Sequence, residues 1–131
     1  MARKETKLPD GRLETDFRNE VILKASGTGR VVVWPQNAGI AVTKDDRAIA
    51  LGPTGISDII GVARGGKFVA FEVKSPTRAT TSEQKNFLKI VKTMGGVALL
   101  YRYDTRLDWD QNAVAARDAL LAAIAAAEAT Q

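Results

Sequence analysis

Residues 59–74 constrain the fold more tightly than any other stretch of this chain. Residues 59–63 and 68–74 are short runs rich in β-branched and aromatic side chains, and Arg64-Gly65-Gly66-Lys67 between them is a hairpin signal. The second run alternates: Phe68, Ala70, Glu72 and Lys74 fall on one face of a strand, and Val69, Phe71 and Val73 on the other. The apolar face has to be core, so Glu72 and Lys74 project from the sheet's opposite face. Asp58 opens the first strand where Glu72 closes the second, and the fold-back brings two carboxylates together.

Sharing one face sets a condition on the turn. A two-residue Gly65-Gly66 turn pairs Arg64 with Lys67, and regular pairing then puts Ile59 opposite Glu72 and Asp58 opposite Val73. That register sends Asp58 to the wrong face. Three arrangements avoid it: an odd loop, a bulge along the strand (Gly61 could host one), or an Asp58 that precedes regular pairing. An odd loop or a bulge is expected.

The surrounding elements follow from periodicity and punctuation. A helix is expected over residues 14–25, capped by Thr15 or Asp16, with Phe17 and Val21 on one face and Gly27 and Gly29 ending it. Val31, Val32 and Val33 read as a buried strand that Pro35 ends. Residues 40–51 form a hairpin or long loop turning at Lys44-Asp45-Asp46, and Gly52-Pro53-Thr54-Gly55 is a tight loop. A helix over residues 81–94, a strand over 97–103 and an Ala-rich helix over 112–128, which Asp110 can cap, complete the order. This is one α/β domain, a mixed central sheet flanked by helices, over residues 14–131; residues 1–13 read as a flexible basic arm.

Among the chain's 131 residues there is no cysteine and no histidine. Disulfides, thiolate or histidine-ligated zinc, cysteine nucleophiles and histidine bases are excluded, leaving carboxylates, lysine, hydroxyls and an oxygen-bound metal. The net charge of +4 favours a polyanionic partner. The N-terminus lacks a signal-peptide pattern and the longest apolar run, residues 119–127, is too short to span a bilayer, so an intracellular, cytoplasmic protein is expected. Two carboxylates on a rigid scaffold suit Mg²⁺ or Mn²⁺, and a neighbouring lysine can offset charge developing on a phosphoryl group. The bland alternative is a charged pair that protects an edge strand.

The run from Gly52 through Asp58 to Gly61, then Phe71-Glu72-Val73-Lys74-Ser75, Gln84 and Gly95-Gly96, with Asn37, Gly39 and Arg47, resembles the VRR-NUC branch of the PD-(D/E)xK nucleases over residues 17–103. Ser57 stands where the superfamily name has proline. The resemblance implies a restriction-endonuclease-like fold and Mg²⁺- or Mn²⁺-dependent endonucleolytic hydrolysis of DNA. It also implies a stand-alone, phage-like type selective for branched, junction or flap structures, as in repair or recombination. It assigns catalysis to Asp58, Glu72, Lys74 and Gln84, and metal binding to Glu20, Asp58, Glu72 and the Val73 backbone carbonyl. The alternative is a non-catalytic DNA-binding module on the same fold.

Two of these residues have plainer readings. Thr81-Ser82-Glu83-Gln84 fits a capping box, and one amide was not expected to serve both the cap and the site in full. Glu20 and Lys24 fit an i,i+4 surface pair. Asn37, Arg47, Arg64, Lys67, Arg78 and Lys85 are the candidate DNA contacts. Lys85, Lys89 and Lys92 form a stripe that reads first as a solvated face. A homodimer is expected, with the last helix and Trp109 in its interface.

Overall fold

The computed structural model describes residues 6–36, 40–50, 52–53 and 55–129. Its elements run α1 (Glu14–Ser26), β1 (Val31–Pro35), β2 (Ile40–Val42), β3 (Ala48–Ala50), β4 (Ile59–Ala63), β5 (Phe68–Lys74), α2 (Ser82–Thr93), β6 (Val97–Arg102) and α3 (Trp109–Ala129). Four strands make one mixed sheet in the order β1-β4-β5-β6, and β2 with β3 makes a separate ribbon. β5 and β6 are parallel, the rest antiparallel, because α2 is the crossover that returns the chain to the same end of the sheet.

The two faces of the sheet are covered unequally. On one, Val33, Ile59, Val69, Phe71 and Val73 pack against Phe17, Val21 and Ala25 of α1 and Ala116, Leu120 and Ile124 of α3. On the other, α2 lays Val91, Phe87 and Leu88 over Ala70 and Ala98. That covers β5 and β6 and leaves Val32 and Trp34 of β1 and Val62 of β4 exposed.

Several boundaries differ from expectation for identifiable reasons. β1 is an edge strand whose side chains alternate between buried and exposed, not a buried strand; a β-branched run reads alike in both settings, and sheet order decides. α1 begins after Leu13 with no side-chain cap, so neither Thr15 nor Asp16 caps it. α3 begins at Trp109, and Asp108, not Asp110, caps it: Gln111 N donates to Asp108 Oδ1 (2.8 Å) and Asp108 N to Gln111 Oε1 (3.0 Å).

The arm expected over residues 1–13 is anchored from residue 6 onward. Lys7 bridges to Leu13, Leu8 is buried in the main core, and the Arg12 guanidinium sits 4.5 Å over the Trp109 ring. One buried leucine beside the Pro9-Asp10-Gly11 turn is enough to dock the segment. Trp109 also packs edge-on against Phe17 at 5.3 Å, so this side chain is used within the chain. Among the described residues no helix is long and apolar enough to cross a membrane.

Candidate active site

The register of β4 against β5 decides where the carboxylates point. Ile59 pairs with Phe71, Ile60 with Ala70, Gly61 with Val69 and Val62 with Phe68. One step toward the turn, Ala63 N donates to Lys67 O and Gly66 N to Ala63 O, both at 2.9 Å. The loop is therefore Arg64-Gly65-Gly66, three residues, with φ of 88° at both glycines, a value that side-chain-bearing residues rarely adopt. One step the other way, Asp58 falls opposite Glu72, on the same face. Gly61 hosts no bulge; it sits in regular register, and so close to β1 that a Cβ there would lie 2.1 Å from the Val32 carbonyl oxygen.

Asp58 N donates to Glu72 Oε2 at 3.2 Å, and both side chains are buried. Burial, with the Asp58 charge beside it, pushes the Glu72 carboxyl up to about 8. Lys74 is buried as well; burial and then the Arg78 charge push its ammonium below the usual lysine range. Burying such groups costs several kcal/mol per ion, and apolar side chains of like size would be no worse for stability. Ionisable groups buried together with shifted pKa values are a common mark of functional sites.

Gln84 ties the group together. Its Oε1 accepts from Lys74 Nζ (2.8 Å) and from Thr81 N (3.0 Å), while its Nε2 donates to Glu72 Oε1 (3.3 Å). Thr81 Oγ1 accepts from Gln84 N at 3.1 Å and completes the capping box. The expected conflict between cap and site does not arise, because the amide oxygen has two lone pairs and serves both. The loop preceding Asp58 fixes this helix end in turn. Gly55, with φ 78°, packs so closely on the first turn of α2 that a Cβ would meet Glu83 O at 2.3 Å.

Two carboxylates of α1, Glu20 and Glu14, sit in different settings. Glu20 pairs with Lys24 at 3.5 Å on a partly exposed face, as the plain reading had it. Glu14 is the buried one: its Oε2 accepts from Ser75 N (2.9 Å) and its Oε1 from Arg78 Nη1 (2.6 Å). It holds the loop that leads from Lys74 to α2. The signal was present in the helical phase, since Glu14 shares the face of Phe17, Val21 and Ala25. Its place in a first turn resembles an ordinary helix-start acid.

The candidate DNA contacts separate into two groups. Arg78 lies at the site, bonded to Glu14, and Lys85 is exposed on the first turn of α2. Arg64 and Lys67 are at the other end of β5, roughly 16 Å from Glu72 at ~3.3 Å per residue. There Arg64 Nε donates to Gly29 O (2.9 Å) and Lys67 Nζ to Gly95 O (3.1 Å). Arg47, on the β2–β3 ribbon, pairs with Asp45 at 3.3 Å in the open. Asn37, with Gly39 and Thr54 of the resemblance, lies outside the described residues. Arg102, which the sequence reading passed over, donates from Nη1 to Ser75 O (2.9 Å) and Arg78 O (2.7 Å), pinning the same loop as Glu14.

Asp58 and Glu72 suit a hard divalent cation: they are oxygen donors, close together, and their mutual repulsion is what a cation relieves. Among the described residues no third Asp or Glu joins them. Ser57 Oγ and Ser75 Oγ, flanking the site on either strand, are buried with no hydrogen-bond partner among the described residues. Val73, between Glu72 and Lys74, buries its side chain in the core on the other face. No family model and no curated protein matches this chain.

Proposed function

We propose that this chain is a metal-dependent endonuclease that hydrolyses DNA phosphodiester bonds, a PD-(D/E)xK-type enzyme of the VRR-NUC kind acting on branched, junction or flap DNA. One observation carries the reading. The three-residue Arg64-Gly65-Gly66 loop sets a register that gathers Asp58, Glu72 and Lys74 on one buried face, where Gln84 joins the last two.

In this reading Asp58 and Glu72, with the Val73 backbone carbonyl, hold Mg²⁺ or Mn²⁺. When bound, the ion supplies Lewis-acid polarisation of the phosphate and a more acidic water. Glu72 must give up the proton that its raised pKa retains, and cation binding drives that loss. Lys74 orients the attacking water and offsets negative charge on the phosphoryl oxygens. Gln84 keeps both side chains aimed, and Glu14, Arg78 and Arg102 hold the loop between them and α2. Arg78 and Lys85 stand where the DNA backbone would approach.

The test is Mn²⁺- or Mg²⁺-dependent cleavage of a panel of duplex, single-stranded, flap and four-way-junction DNAs. Metal-dependent nicking of a branched substrate, absent in Asp58→Ala, is the expected result. Binding without cleavage under any divalent metal would leave only a DNA-binding module.

A further inference from the structure

We propose that Trp34 stacks on an unpaired base beside the scissile phosphodiester and thereby sets a preference for branched over plain duplex DNA. The proposal rests on the nuclease reading above and names a residue that selects its substrate. The chain's two tryptophans are used differently. Trp109 is engaged inside the fold, edge-on to Phe17 and under Arg12. Trp34 is 43% exposed, and among the described residues its ring meets no other ring, no cation and no hydrogen-bond partner. Register places it beside the carboxylates. It pairs with Ile60, two residues along the chain from Asp58, and Gln36 N donates to Asp58 O at 2.7 Å. Val33 and Ile59 point into the main core, so Trp34 and Ile60 lie on the opposite face, that of Asp58 and Glu72. Diagonal neighbours on paired strands are roughly 7–8 Å apart, within reach of an aromatic side chain.

The surroundings select a base as the occupant. α2 closes this face over Ala70 and Ala98 and leaves it open over β1 and β4, so Trp34 stands on the open side of the site. Asp58, the site residue nearest to it, is also the least enclosed, at 7% exposed against 0% for Glu72 and 2% for Lys74. A strand that reaches the carboxylates across the open half passes over Trp34. Val32, Trp34, Ile60 and Val62 carry no charge, whereas phosphates are held by cations. Arg78 and Lys85, the cations near the site, belong to the loop after β5 and the first turn of α2, not to this surface. A free indole on an apolar floor suits the flat face of a base instead. In a duplex both faces of each base are covered by its neighbours. A flap or an opened branch point offers a bare face, and plain duplex does not.

The test is binding of the full chain, without divalent metal, to a duplex and to the same duplex carrying a single-stranded flap. A fluorescent adenine analogue serves as the flap base next to the branch point. Trp34→Ala should weaken flap binding by about 10-fold or more, the scale of one lost base–aromatic stack, and leave duplex binding unchanged. Trp34→Phe keeps an aromatic face and should retain most of the affinity. The wild type should quench the analogue on binding, and Trp34→Ala should not. Trp34→Gln is the second variant, should the first not fold. Equal loss on both DNAs, or no loss on either, overturns the proposal and leaves the nuclease reading standing. A wild type that binds neither DNA overturns both. Light scattering on the same samples covers the other occupant: a fall in mass with Trp34→Ala assigns the surface to another protein chain and overturns the base site.

Discussion

The two ends of the β4–β5 hairpin use charge in opposite ways. At the turn, Arg64 and Lys67 are cations with accessible side chains whose partners are backbone carbonyls, Gly29 O and Gly95 O. Each satisfies an acceptor at the edge of the fold and keeps most of its hydration. At the other end, Asp58, Glu72 and Lys74 are buried, and their neighbours are one another and Gln84. The first arrangement is what a fold does with charge for its own sake. The second is costly to the fold, and it is held in place by side chains drawn from α1, the β5–α2 loop and β6. Replacing charges at the two ends should therefore have opposite consequences for activity and stability.

The largest effect is expected at the buried end. Asp58→Ala, Glu72→Ala and Lys74→Ala should each lower metal-dependent DNA cleavage by about 10³-fold or more, the scale of losing a charge-stabilising group in a transition state. Each variant should stay folded in thermal unfolding, because none of the three side chains belongs to the apolar core. Cleavage near the wild-type rate in a folded variant would remove that residue from the mechanism. DNA binding by Lys74→Ala should persist and fall steeply with salt.

The next effect tests whether the buried end is held by α2. Gly55→Ala puts a methyl group against the Glu83 carbonyl and strains a positive φ, so the first turn of α2 and Gln84 with it must shift. We expect about 1–3 kcal/mol of destabilisation and a cleavage rate lower by about 10²-fold, the cost of roughly 1 Å of misplacement. Gln84→Ala should reproduce the loss of rate without the backbone strain. If Gly55→Ala loses stability alone, the close packing is architectural and the alignment of Glu72 with Lys74 does not depend on it.

Much of this was legible in the sequence, and the remainder was hidden for physical reasons. The hairpin, both of its strands and the faces of Glu72 and Lys74 follow from alternation, which is local. Requiring two carboxylates to share a side narrowed the turn to an odd loop or a bulge, and sequence could not choose the loop that the structure has. Glu14 went unremarked because its partners, Ser75 and Arg78, lie more than sixty positions away. Valine at 31–33 signals a strand but not whether that strand is at an edge. The half-covered face is a property of sheet order, which no window of sequence contains.

A pH titration sharpens the contrast further. With the Glu72 carboxyl raised from 4.5 to about 8, the folded protein holds a proton that the unfolded chain releases. Stability should be full below pH 4.5 and decline as pH rises toward 8, by at most about 1.4 kcal/mol per pH unit. Lys74, pushed down, contributes the opposite slope between its lowered value and 10.5. Denaturant unfolding of metal-free protein from pH 5 to 8 measures the sum, and Glu72→Gln should flatten the decline. Mg²⁺ or Mn²⁺ should raise Tm more at pH 8 than at pH 5, since at pH 5 the cation must displace a proton. Equal stabilisation at both would argue against Glu72 as a ligand.

The smallest effects are expected at the turn, and they test the comparison from its other side. Arg64→Ala and Lys67→Ala each remove one hydrogen bond from an exposed cation to a carbonyl that water can also reach. The expected cost is below about 1 kcal/mol for each, the range for solvent-exposed charged contacts. Roughly 16 Å separates these residues from Glu72, more than a Debye length of ~8 Å at physiological salt, so their charges should barely be felt at the site. Cleavage rate and the salt dependence of DNA binding should both stay at wild-type values. Arg78→Ala offers the matched contrast, because its guanidinium touches Glu14 and its charge acts on Lys74. That change should slow cleavage measurably while costing stability too. If instead Arg64→Ala or Lys67→Ala reduced the salt slope of DNA binding by about one phosphate contact each, the DNA would have to track along the whole hairpin, and the turn would belong to the binding surface.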